Sequence, residues 1–138
     1  MKGQGASLPA IGLLAVLLLC GCTARDAICI NWGLQLPTGG ELAYEADSGA
    51  SFHGDGVRYH VFQYQSGELL ADLLPWEEPS DAQVERAVGF LDEIQVPTEE
   101  RADFASCSCW YDRQNDNSEI YVFYEEKTDT LYVVESFL

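Results

Sequence analysis

Basic residues and histidine are scarce in this chain: seven Lys and Arg and two His stand against 23 Asp and Glu in 138 residues. A formal net charge of −16 repels phosphate backbones and anionic headgroups. Nucleic acid is therefore excluded as a partner of the protein surface, and so is electrostatic adhesion to a bilayer. Two histidines without a His-Glu-x-x-His string give no recognisable zinc centre. No Gly-x-Ser-x-Gly elbow, no Cys-x-x-Cys pair and no phosphate-binding loop is present, since Gly39-Gly40 lacks the Lys-Ser or Lys-Thr continuation. No cofactor is expected, and the expectation for activity is a non-enzymatic protein. Long apolar runs are also lacking. The longest, Leu8–Cys20, covers thirteen residues, a helical rise of about 20 Å against a hydrocarbon core of ~30 Å.

That run is short for a spanning helix but suits the core of an export signal. Lys2 precedes it and Leu19-Cys20-Gly21-Cys22 closes it. The closing string resembles the lipobox of bacterial lipoproteins, with a branched apolar residue at −3, a small residue at −1 and then Cys. The resemblance implies cleavage between Gly21 and Cys22 and a diacylglyceryl group on the Cys22 thiol. Residues 1–21 are then a signal peptide, 22–27 a lipidated tether and 28–138 one globular domain. Two acyl chains hold a protein at a bilayer where one does so only marginally. The implied location is the extracytoplasmic face of the cell membrane, with the lipid on Cys22 as the link. Loss of Lys2 leaves six basic residues against 23 acidic ones, a net charge of −17 for the mature chain. Such a surface suits a basic protein partner, as in an inhibitor or immunity protein.

Periodicity points to an α+β domain, a mostly antiparallel sheet of five or six strands packed with one amphipathic helix. The expected strands are Ala27–Trp32, Glu41–Ala46, Val57–Gln65, Cys107–Tyr111, Glu119–Glu125 and Thr130–Phe137, the last two forming a C-terminal hairpin about Lys127-Thr128-Asp129. Val57–Gln65 carries apolar residues on both faces, which predicts an internal strand. The helix is expected to start at Ser80, where Ser80 and Gln83 make a capping-box pattern. Val84, Ala87, Val88, Leu91 and Ile94 continue it at helical spacing until Val96-Pro97. Trp76, between Pro75 and Pro79, reads either as a lid over the core or as an exposed anchor for a partner.

The most unusual string is His53-Gly54-Asp55-Gly56. Its glycines suit a sharp turn, while His53, Asp55 and the nearby His60 make a candidate ligand-binding loop, or, as an alternative, the site of a metal-dependent or hydrolytic protein. With Leu131-Tyr132-Val133-Val134-Glu135, this string is similar to segments of small exported proteins of Gram-positive bacteria. That likeness implies a shared fold and brings no activity with it. Asp112–Glu119 has the carboxylates of a calcium loop, but Asn117 stands where an EF-hand needs Gly and Phe123 where it needs Glu. Cys29, Cys107 and Cys109 remain beside Cys22; they are reduced thiols, or one disulfide, Cys29 with Cys107 or Cys109, plus one free thiol, or a Cys107-x-Cys109 redox pair, which no Cys-x-x-Cys spacing supports. The leading expectation is a binding module for a protein or small ligand at the cell envelope.

Overall fold

The computed structural model describes residues 23–49, 55–66 and 68–138. The chain divides into two compact units, Met1–Gln35 and Leu36–Leu138. Within the first lies helix α1, Ala24–Trp32. This corrects the expected strand over Ala27–Trp32. The β-branched Ile28 and Ile30 suggest a strand, but local chemistry at both ends favours a helix. Thr23 and Asp26 form a reciprocal capping box, and Gly33 closes the helix at φ 66°, a left-handed conformation natural to glycine. Ile28 and Trp32, four residues apart on one face of α1, are both buried.

The second unit holds a five-stranded antiparallel sheet in the order β1-β2-β5-β4-β3. Its strands are β1 Glu41–Asp47, β2 Gly56–Gln63, β3 Ser108–Arg113, β4 Glu119–Glu125 and β5 Thr130–Phe137. The α+β class and the C-terminal hairpin are as expected, β4 and β5 down to their first and last residues. The hairpin turns through a 3-10 segment, Glu126–Thr128, with Asp129 left-handed at φ 52°. β2 is internal, paired with β1 on one side and β5 on the other. Short helix α2 spans Glu68–Ala71 and the amphipathic helix α3 spans Asp81–Glu93. Among the described residues, no helix is long and apolar enough to cross a membrane.

One face of the sheet packs against α3. Tyr59 and Val61 of β2, Val134 of β5, Tyr121 and Phe123 of β4 and Cys109 of β3 meet Ala87 and Leu91 of the helix, with Phe104 and Val96 closing the cluster. Hydrogen bonds hold both ends of α3. At its start Ser80 Oγ accepts from the Gln83 amide (3.1 Å) and Gln83 Oε1 accepts from the Ser80 amide (2.9 Å). At its end Gln95 turns left-handed, φ 59°, and the Val96 amide reaches back to the Leu91 carbonyl at 3.0 Å, so the helix stops before Val96-Pro97. Arg101 clamps this end, donating to the Val96 carbonyl and to Asp92. Replacing Ser80 with Ala leaves the first-turn amides without their acceptor and should destabilise the protein by about 1 kcal/mol. Urea denaturation measures this, and an unchanged midpoint would contradict the role of the cap.

Trp76 takes the lid arrangement. Its indole N–H donates to the Leu70 carbonyl at 2.8 Å, and its ring lies against Tyr124 with centroids 5.4 Å apart. The neighbouring Glu77 forms a two-bond antiparallel bridge with Cys109 of edge strand β3.

Candidate functional site

The His53–Asp55 loop is partly visible. His53 lies outside the described residues, as does the Leu19–Cys22 string with Cys22. Asp55 is exposed where the chain enters β2. Gly56 sits at φ +134°, and a Cβ there would come within 2.2 Å of Ser48 Oγ, so the turn requires glycine. Asp55 and His60 are five residues apart on extended chain, roughly 16 Å, and do not converge. His60 points from the sheet face opposite α3, its Nε2 3.5 Å from Glu45 Oε2 and its Nδ1 3.9 Å from Glu135 Oε1. Nδ1 is buried without a hydrogen bond. Burial lowers the pKa of His60 and outweighs the opposing pull of Glu45, so the ring is neutral at pH 7.

No disulfide joins Cys29, Cys107 and Cys109 to one another. The alternative of a bridge from Cys29 supposes that it lies in a strand; Cys29 instead sits on α1. Cys107 and Cys109 are buried in the core beneath α3, and burial pushes both pKa values up to about 12, away from reactive thiolate. The carboxylates of the would-be calcium loop are committed locally. Asp112 accepts from the Arg113 amide and Asp116 from the Ser118 amide, each within 2.9 Å. Glu119 turns the other way, into the interior. Among the described residues no three of His, Cys, Asp and Glu converge as metal ligands.

Where Glu119 turns, a site forms. Tyr111 and Arg113 alternate along β3 and face the same side; Glu119 and Tyr121 do so along β4. The register pairs Tyr111 with Tyr121 and Arg113 with Glu119. Helix α3 lays Gln83 and Arg86 across this patch, and together with Ala82 these residues line a cleft of about 450 Å³. Glu119 is 5 % exposed. Arg86 meets it side-on, with Nε 2.8 Å and Nη2 2.7 Å from Oε2 and Nε 3.1 Å from Oε1. The Tyr111 hydroxyl donates to Oε1 at 2.9 Å and the Tyr121 hydroxyl reaches the same oxygen at 3.4 Å. The Phe90 ring, one helical turn on, supports the Arg86 guanidinium at 5.0 Å.

This network has fixed charges at neutral pH. Burial pushes the Glu119 carboxyl up, but hydrogen bonds from Arg86 and Tyr111 and the guanidinium charge together outweigh it, and the net shift is downward. The hydrogen bond to Glu119 raises Arg86 further. Burial, then the Glu119 carboxylate, raises both Tyr111 and Tyr121. Nothing in the cleft is poised to exchange a proton near neutrality. On its rim Arg113 donates to the neutral Asn117 Oδ1 at 2.7 Å. The lining of the cleft thus holds two guanidiniums and one carboxylate on a strongly acidic chain.

The sequence points to Gln83 only as a cap and to Arg113 and Glu119 only within the would-be calcium loop, and not to a cleft. The strand half was readable: Tyr111-x-Arg113 and Glu119-x-Tyr121 flank the Asn115–Ser118 turn, and antiparallel register brings all four to one face. Arg86 carried no such signal, because its partner is 33 residues away. A second hollow, about 290 Å³, adjoins the first along the outer edge of β3, lined by Pro75, Glu77, Gln83, Cys109, Trp110 and Tyr111. No protein-family model matches the chain, and neither does any curated protein or solved structure.

Proposed function

We propose that this protein is a non-enzymatic binding module, held at the extracytoplasmic face of the cell membrane by lipid on Cys22, with the cleft of Arg86, Tyr111, Arg113, Glu119 and Tyr121 as its ligand site. The anchor rests on the resemblance of Leu19-Cys20-Gly21-Cys22 to a lipobox. The binding role rests above all on one observation: Arg86, Glu119 and Tyr111 are locked together before any ligand arrives. Such preorganisation favours recognition, because little side-chain freedom is lost on binding. Groups that neither titrate near pH 7 nor converge on a reacting position support binding over proton transfer. At physiological ionic strength charges are screened within about 8 Å, so a ligand in the cleft senses the two guanidiniums and the carboxylate that line it more than the distant acidic surface.

Two substitutions test the two halves separately. Cys22→Ser should move the protein from the membrane fraction to the soluble fraction, since the thioether cannot form. Arg113→Glu should abolish retention of envelope-extract ligands on the immobilised protein while circular dichroism stays unchanged. Membrane sedimentation of the Cys22→Ser protein overturns the anchor. Undiminished retention by the Arg113→Glu protein overturns the cleft as the binding site.

A further inference from the structure

We infer that the cleft takes an extended peptide with a free C-terminal carboxylate, which adds as a short strand to the open edge of β3; this rests on the cleft being the ligand site. The sheet has two edges, β1 and β3. β1 is protected in the ways common to sheet edges, by a register irregularity between Leu42 and Tyr44 and by the exposed carboxylates of Glu41, Glu45 and Asp47. Among the described residues, β3 is covered only at Cys109, by Glu77.

The hydrogen bonds at each end of β3 establish which of its groups face outward. The Cys109 amide and carbonyl both bond to Glu77, at 2.7 and 3.0 Å, on the side away from β4. Beyond the strand, the Gln114 amide bonds to the Ser118 carbonyl at 2.9 Å, on the β4 side. Strand groups alternate, so odd-numbered residues direct their main-chain N–H and C=O off the sheet. Tyr111 therefore presents both groups outward, and Arg113 its carbonyl, the Arg113 amide being held by Asp112 Oδ1 at 2.8 Å. Cover ends after one bridge because the residue two before Glu77 is Pro75, which has no N–H to give. The Trp76 amide then turns back to the Leu74 carbonyl at 2.8 Å. The hollow bordered by Pro75, Glu77 and Tyr111 lies at this unpaired stretch.

Charge sets the direction of the added strand. The Glu77 carboxylate marks one end of the open stretch and the Arg113 guanidinium the other. A terminal carboxylate is repelled at the first and forms charge-assisted hydrogen bonds at the second, so the peptide runs parallel to β3. Main-chain bonds to Tyr111 hold it, as in other strand-addition modes. A second β3 edge would bring no terminal carboxylate to Arg113, so charge favours the peptide over self-association.

The test uses the full chain in detergent micelles and a bead-displayed random heptapeptide library, made once with free C-terminal carboxylates and once amidated. The wild-type protein should select from the free-acid library only. Arg113→Gln should weaken the selected peptides about tenfold. N-methylation of the peptide amide facing Tyr111 should weaken them roughly tenfold to a hundredfold. Equal binding of N-methylated peptides overturns strand addition, and equal selection from the amidated library overturns the carboxylate. Failure to select any peptide, or sedimentation as a dimer broken by Arg113→Gln, overturns the peptide as occupant. The cleft reading fails only by the separate Arg113→Glu retention experiment.

Discussion

Phe123→Ala should lower the stability of the protein by about 3–5 kcal/mol, the range for deleting a buried aromatic ring from a core. Phe123 is 0 % exposed and lies in the middle of β4, opposite Cys109 on one side and Tyr132 on the other. Its ring sits 4.5 Å from that of Phe104, and Tyr121 lies parallel to it at 6.3 Å. No neighbour can collapse into the space, because the strands on both sides are pinned by their ladders. The transfer loss and the cavity term therefore add. For a protein of this size, total stability of about 5–15 kcal/mol makes the loss about a fifth of the whole or more. Urea denaturation should show a large shift in midpoint with an unchanged slope. A loss below about 1.5 kcal/mol would show that this cluster is not the centre of the core.

Arg86→Ala should cost roughly 2 kcal/mol at pH 7, below the range for breaking a fully buried pair because the Arg86 side chain is 56 % exposed and water reaches part of it. The pH dependence distinguishes this loss from simple loss of packing. The folded pKa of Glu119 lies below its ordinary value of 4.5, so its ionised form contributes stability above that pH. The contribution disappears as pH falls through the depressed folded value. In the variant the largest stabilising partner of the carboxylate is gone while burial persists, so Glu119 accepts a proton at higher pH. The stability gap should therefore narrow as pH falls from where the variant takes up its proton, and it closes furthest once pH is below the depressed wild-type value, where both proteins hold a neutral Glu119. A gap that stays constant from pH 7 into this acid range would mean that Arg86 acts through its methylene stem and not its charge.

Much of the sheet was legible because its signals are local. Glu119–Glu125 and Thr130–Phe137 alternate or run apolar to their ends, with Lys127-Thr128-Asp129 as punctuation, and the observed strands match. Ser80 and Gln83 announced α3 through side-chain chemistry that needs no tertiary partner. Ala27–Trp32 carries β-branched Ile28 and Ile30 and suggests a strand, but the decisive signals, the Thr23-x-x-Asp26 box and Gly33, stand outside that apolar stretch. The site divides in the same way. Its tyrosines, Arg113 and Glu119 follow from hairpin register, whereas the meeting of Arg86 with Glu119 depends on how α3 crosses the sheet, which no spacing along the chain encodes. His53-Gly54-Asp55-Gly56 drew attention by composition, and at Gly56 the reason is steric.

The strand order has a consequence for biogenesis. β5, the last of the five strands to leave the ribosome, lies in the middle of the sheet, joining β2 to β4. Residues 56–63 wait for partners at 130–137, and contacts so distant along the chain slow folding. Until β5 has been made, the nascent polypeptide holds only two separate hairpins with unsatisfied flanks, β1–β2 and β3–β4. Closure of the sheet therefore waits for the synthesis of residues 130–137, the segment that joins the two halves.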